Sequence, residues 1–318
     1  MDKRTRLINA LNGGEVDRVP VSFWYHFEGE QAQGEACVQA HLDHYRTTGV
    51  DYLKIMSDGY PYRFNGKVER PSDWYHLRPL GKDHPYIVEQ VERARRINEA
   101  LKGECCTFYN IFAPFNSIRE SPDSSEAMVA AHIREDEEAV RHGLDVIAED
   151  AATLAELVIR EGGCEGIYLA LQGAEEDRFP SAVDYRRIVM PSDLKVLVNA
   201  NRYSDNNIAH LCGWAGRKNR LEAWRDYPAK AFNWAIYIDE MSLQDGAIMF
   251  DGKTVIGGFD NRKDSLIVNG SKEAVQAYAT ALVKSFGKQG FIVGADCTLP
   301  NFIDKQRISW VVEAVAQA

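Results

Sequence analysis

Residues 136–171 read DEEAVRHGLDVIAEDAATLAELVIREGGCEGIYLAL, a helical pattern, a stop and a strand-like run in direct succession. Val140, Leu144, Ile147, Ala151, Leu154 and Val158 follow one another at spacings of 4, 3, 4, 3 and 4 residues, which puts them on one helical face. The spacing predicts a helix over Asp136–Arg160. Gly162-Gly163 supplies the residue type that ends helices. Gly166–Leu171 is then apolar and lacks the helical spacing, as a short strand does.

Working outward, the same unit recurs. Apolar, β-branched or aromatic runs lie at Val19–Tyr25, Tyr52–Met56, Cys105–Phe112, Gly166–Leu171, Asn207–Cys212, Phe232–Ile238, Thr254–Phe259 and Gly290–Val293, eight candidate strands in all. Helical patterns separate them, with Ser271–Phe286 and Ile303–Val315 among the clearest. Met241–Phe250 is short for a helix and is the weakest connection. No repeat, low-complexity tract or Pro/Gly/Ser-rich linker divides the chain. Eight strands alternating with helices predict an α/β fold, a closed (β/α)8 TIM barrel forming a single domain over residues 1–318.

With 45% hydrophobic and 26% charged residues, the composition is that of a globular protein. A chain of 318 residues can bury a large core unaided, so any metal it carries is expected to do chemistry. The formal charge of −10 argues against nucleic acid or an anionic membrane as partner, because both require concentrated basic surface. No run of 18 apolar residues spans a bilayer. The opening Met1-Asp2-Lys3-Arg4-Thr5-Arg6 lacks a signal peptide's apolar segment. The expected location is therefore cytoplasmic, where cysteines stay as thiols.

Barrel enzymes carry their chemistry at the C-terminal ends of the strands. Here those ends read Trp24-Tyr25-His26, Ser57-Asp58, Pro114-Phe115-Asn116, Gln172-Gly173-Ala174-Glu175, His210-Leu211-Cys212, Asp239-Glu240, Asp260-Asn261 and Asp296-Cys297. The sharpest is His210-Leu211-Cys212. Residues i and i+2 of a strand share a face, so the imidazole and thiol project together into the barrel mouth. Cys297, at another strand end behind the small pair Gly294-Ala295, is the natural third donor. Zinc prefers such mixed N/S ligands, and three protein ligands with a fourth position open is the catalytic arrangement. The competing reading of the same residues is a hydrogen-bonded interior histidine and two small core cysteines.

The chain resembles the uroporphyrinogen decarboxylase superfamily. The resemblance rests on Arg6-Leu-Ile-Asn-Ala-Leu, Val16-Asp17-Arg18-Val19-Pro20-Val21, Ile55-Met56-Ser57-Asp58, Gly257-Gly258-Phe259-Asp260 and Gly294-Ala295-Asp296-Cys297-Thr298-Leu299-Pro300. It spans nearly the whole chain and implies a (β/α)8 barrel. Decarboxylases of that superfamily bind a tetrapyrrole's carboxylates through arginines after the first strand. This chain has Trp24-Tyr25-His26-Phe27-Glu28-Gly29-Glu30 there, without arginine. Asp58 matches the aspartate they place at the pyrrole nitrogens, although it can equally cap a following helix. The other branch, zinc-dependent methyltransferases that pass a methyl group between a corrinoid protein and a thiol such as coenzyme M, carries H-x-C with a distant cysteine. His210, Cys212 and Cys297 match that pattern.

The resemblance thus implies one zinc per chain, methylcorrinoid as co-substrate, a possible corrinoid protein partner and a small-molecule substrate bearing a thiol or other heteroatom. Asp58, His26 and Glu175 are the expected catalytic side chains. Trp24, Tyr25, Asn116, Gln172, Trp214 and Asp260 are expected to contact substrate; Arg178 and Arg262 are read by default as solvated surface arginines, with anchoring of an anionic group as the alternative. Asp239 or Glu175 is expected to accept from the ligand histidine, with Glu175 or Glu240 as a possible fourth ligand. Cys37, Cys105, Cys106 and Cys164 are read as structural. The competing functions are a metal-free tetrapyrrole decarboxylase using Asp58 and a non-catalytic barrel that binds a ligand; fold alone does not separate them.

Overall fold

Seven strands follow the chain in the order they stand in the sheet, each parallel to its neighbours. They are β1 (Tyr52–Ile55), β2 (Cys106–Phe112), β3 (Gly166–Leu171), β4 (Ile208–Leu211), β5 (Ala231–Trp234), β6 (Thr254–Phe259) and β7 (Phe291–Ala295). All but one of their residues are buried, as expected where helices cover a parallel sheet. The computed structural model describes residues 1–179, 181–213 and 216–318.

The expected eighth strand, Val19–Tyr25, occupies the gap between β7 and β1 but is not a regular strand. On one side Val293 N donates to Pro20 O at 2.9 Å and Ser22 N to Val293 O at 3.0 Å; on the other Asp51 N donates to Val21 O at 2.8 Å. Pairing is confined to bridges at Val21–Val293 and Tyr25–Leu299. The reason is chemical. Pro20 has no N–H to offer a ladder, and the Val21 amide is taken by the Asp51 carboxylate at 2.8 Å. That carboxylate, wholly buried, also receives Arg6 at 2.8 Å and Arg18 at 2.8 Å, tying the first helix, the closing segment and β1 together at the foot of the barrel.

The other departures are local. The run expected at Phe232–Ile238 stops at Trp234, and Ile236–Asp239 is a helical turn whose Tyr237 amide donates to Asp296 Oδ2. The weak connection at 241–250 does hold a helix, Leu243–Met249, capped by Ser242. The long helix is Glu137–Arg160, with the Asp136 side chain accepting from Ala139 N as its N-cap. Gly143 on it is required by close approach, since a Cβ there would lie 2.3 Å from Trp74 Cε3.

Outside the sheet, helices Ala182–Ile188 and Met190–Ala200 enclose a polar knot. Asp193 Oδ2 accepts from Tyr185 OH at 2.6 Å and Tyr227 OH at 2.9 Å. Burial outweighs those two donors and raises the Asp193 carboxyl to about 7. The folded chain therefore holds a proton that the unfolded chain, with an ordinary carboxyl near about 4, releases. Such a group's contribution is complete below the unfolded value and is lost as pH rises through about 7. Asn at this position keeps the acceptor and cannot ionise. Thermal melts of Asp193→Asn should gain on the parent between about pH 5 and pH 8, by at least about 1 kcal/mol; parallel curves would contradict the burial argument.

Candidate metal centre

His210 stands in β4 directly beside Asn233 of β5 in the parallel register, and that neighbour determines what the imidazole can do. Asn233 Nδ2 donates to Ile256 O at 2.9 Å and to Ala295 O at 3.1 Å. With the amide nitrogen committed to two carbonyls, its oxygen must face His210, where it lies 2.5 Å from Nδ1. An amide oxygen only accepts, so Nδ1 carries the proton and Nε2 keeps its lone pair.

That lone pair faces two sulfurs. Cys297 Sγ lies 3.4 Å from His210 Nε2 and 3.8 Å from Cys212 Sγ, and all three donor atoms fall within 4.8 Å of one another. Zinc–sulfur bonds of about 2.3 Å and a zinc–nitrogen bond of about 2.0–2.1 Å, arranged tetrahedrally, set S···S near about 3.8 Å and N···S near about 3.5 Å. The three residues thus fit a tetrahedral ion without rearrangement of the two measured edges. The cysteines form no disulfide. The Cys297 thiol is held well below its ordinary value, chiefly by its hydrogen bond with Cys212 and further by His210 and Lys54. Cys212 is correspondingly raised by the same bond and by burial. The four other cysteines are buried thiols pushed up by desolvation, Cys37 to about 11 and Cys105, Cys106 and Cys164 to about 12.

The triad opens on a cavity of about 480 Å³ at the barrel mouth, lined among others by His26, Lys54, Asn116, Gln172, Asn261 and Arg262. His26 sits where this cavity meets a second one of about 240 Å³ lined by Asp58, Tyr60, Tyr62 and Tyr86. Its Nδ1 is 2.6 Å from Asp58 Oδ1. Burial opposes the imidazolium, but the hydrogen bond and charge of Asp58 together raise His26 above an ordinary histidine. Gln172 Oε1 is buried and has no hydrogen-bond partner among the described residues. Asn116 lines the cavity from the first turn of helix Pro114–Glu120, with Nδ2 donating to Ala170 O.

Several expected residues stand elsewhere. Trp24 and Tyr25 are buried and line neither cavity. Trp24 packs edge-on to His210 at 6.2 Å and against Tyr168 at 5.1 Å, supporting the imidazole from behind; Tyr25 packs on Phe27 and His44. Glu175 is fully buried in an ion pair with Arg178 at 2.7 Å, and Arg178 also reaches Glu126. Glu175 is thus engaged by Arg178 and stands outside the group of donor atoms formed by His210, Cys212 and Cys297, and the His210 Nδ1 partner is Asn233. Asp239 accepts from the Asn219 backbone, leaving the histidine to Asn233, and Glu240 is paired with Lys218 on the surface. Asp260 is held by Arg262 at 2.7 Å, so Arg262 reaches the cavity and Asp260 serves it from behind. Asp58 caps no helix; besides His26 it accepts from Phe27 N. Trp214 lies outside the described residues.

Sequence reading missed two residues. One is Asn233. The other is Lys54, the only charged residue of β1, 3% exposed. Its ammonium rests 4.5 Å from the Trp24 ring and 4.0 Å from the Tyr168 ring. Cation–π contact returns about 2 kcal/mol when desolvated, less than the several kcal/mol that burying an ion costs. Burial lowers Lys54 to about 8, with Cys297, Cys212 and Asp58 drawing it back up. Polar residues inside the short apolar runs YLKI and AFNW were the available signal.

Residues 2–318 match the family described as Uroporphyrinogen decarboxylase (URO-D), and the chain belongs to that family. No curated protein sequence matches it. Among solved structures, a methyltransferase from Methanosarcina mazei is similar with a TM-score of 0.79 at 15% identity, over 100% of this chain and 99% of that one. A B12-independent methionine synthase from Shewanella sp. W3-18-1 has a TM-score of 0.55 at 13% identity, over 94% of this chain and 93% of its own. Likeness at these identities establishes the shared barrel fold.

If the three residues take zinc and Asn233 sets the ring and its tautomer, Asn233→Ala should weaken that binding by about 10–100-fold. A competitive chelator titration reads this directly, with circular dichroism to verify folding. Unchanged affinity in a folded variant would show that the imidazole is oriented by other contacts.

Proposed function

We propose that this member of the uroporphyrinogen decarboxylase family is a zinc-dependent methyltransferase, moving a methyl group between a small thiol or other heteroatom substrate and a corrinoid carrier. The observation that carries the reading is the donor set. One imidazole nitrogen with a fixed lone pair and two thiols stand at tetrahedral spacing, at the floor of a cavity of about 480 Å³. The M. mazei neighbour is a methyltransferase and the Shewanella neighbour a methionine synthase, which supports methyl transfer on this barrel.

His210, Cys212 and Cys297 would hold the metal, leaving one tetrahedral position toward the cavity. A bound zinc lowers the pKa of a coordinated thiol or polarises a methylated heteroatom. The chain's own residues do the rest. Asn233 holds Nε2 of His210 toward the sulfurs. Gln172 Oε1 offers an unfilled acceptor to a substrate donor, and Asn116, Asn261 and Arg262 provide further polar contacts. With its Nδ1 facing Asp58, His26 has Nε2 left to exchange a proton with the substrate. The aromatic side chains Trp24 and Tyr168 keep water from the back of the histidine.

A tetrapyrrole decarboxylase reading has less behind it. Asp58 is already engaged by His26 and Phe27 N. The described arginine lining the main cavity, Arg262, is paired with Asp260, leaving little to receive many carboxylates.

Elemental analysis of the purified protein should find about one zinc per chain, lost in Cys212→Ser and in Cys297→Ser. Methylation of a simple thiol by free methylcobalamin should fall by at least about 100-fold in both variants. A parent that is metal-free and refuses zinc on titration would overturn the proposal.

A further inference from the structure

Among the described residues, Lys54 stands in the main cavity without an ion-pair partner, while the other Arg, Glu and His side chains paired across it are engaged. Glu120 is paired with Arg119, Arg262 with Asp260 and His26 with Asp58. Lys54 has no ion pair and no hydrogen bond among the described residues; the faces of Trp24 and Tyr168 lie against its ammonium, and Cys297, Cys212 and Asp58 act on it only through space. It projects from β1 into the same cavity as His210, Cys212 and Cys297. Lysine is almost never buried without a partner, and a chain that keeps one so has a place for an anion beside it.

Charge counting says which anion. A divalent ion with two thiolates and a neutral imidazole sums to zero, and Lys54 then leaves the centre at plus one. A neutral fourth ligand preserves that excess inside a poorly solvated cavity, whereas an anionic one cancels it. We propose that Lys54 is the specificity-determining counter-charge of the bound substrate, selecting ligands whose heteroatom is anionic at the centre: a thiolate, alkoxide or phenolate rather than a neutral amine or thioether. This rests on the metal centre proposed above and adds the substrate class that the centre accepts.

The test uses the whole protein loaded with cobalt(II), whose visible spectrum reports the ligand at the open position. Azide serves as the anionic probe and imidazole as the neutral one, titrated into the parent, Lys54→Met and Lys54→Arg. Lys54→Met should weaken azide by at least about tenfold and change imidazole by less than about twofold, with Lys54→Arg recovering most of the azide affinity. Its melting temperature should equal or exceed the parent's, because an apolar side chain of similar length relieves an unpaired buried charge. Equal loss of both ligands, unchanged azide affinity, or a lowered melting temperature with no azide selectivity in Lys54→Arg would overturn the assignment. Cobalt uptake by the parent is read separately. A parent that takes up neither cobalt nor zinc overturns the metal centre, and the role of Lys54 with it.

Discussion

The side chain of Asn233 is gripped from two sides, and the chemistry at the barrel mouth depends on that grip. Its amide nitrogen bridges carbonyls of β6 and β7, so its oxygen is left for His210. A histidine without that partner would be free to rotate or to hold its proton on Nε2, and the sulfurs would face a donor instead of a lone pair. The grip in turn requires β5, β6 and β7 to stand in their observed register, which is a property of the closed barrel. Closure depends on the buried Asp51, whose two arginines and the Val21 amide hold the irregular segment 19–25 in the eighth place. A polar knot at the foot of the barrel and a polar clamp at its mouth are thus linked through strand register.

The mouth also gathers groups that folding alone would not favour. Gln172 Oε1, Asp239 Oδ2 and Asp296 Oδ1 are buried without partners among the described residues. Burial raises Asp296 to about 8 and Asp239 to about 6. Each unsatisfied buried polar atom costs about 1–3 kcal/mol, and such costs concentrate where a protein binds something. By contrast, the Glu175–Arg178–Glu126 network engages its charges in ion pairs.

Much of the fold was legible because barrel strands are short apolar runs and the helices between them keep one apolar face. Gly166–Leu171 and Thr254–Phe259 fall where the pattern places them. The His210–Cys212 pair was legible too, since alternation along a strand fixes their common face. Asn233 and Lys54 were not, because their roles arise from side-by-side register between strands distant in sequence. Glu175, Trp24 and Tyr25 misled for a related reason. A strand end shows which residues are near the mouth, but not whether a neighbour such as Arg178 or Phe27 has already claimed them. Val19–Tyr25 lost its regularity to the Asp51 carboxylate, again a partner far along the chain.

X-ray absorption at the zinc edge tests the central claim most directly, because it reads the donor atoms themselves. The triad predicts two sulfurs at about 2.3 Å and one imidazole nitrogen at about 2.0–2.1 Å, with a light atom completing the shell. Adding a simple thiol should raise the sulfur count from two to three as that light atom leaves. A shell of oxygen and nitrogen only, or one that ignores added thiol, would contradict an open zinc site built by His210, Cys212 and Cys297.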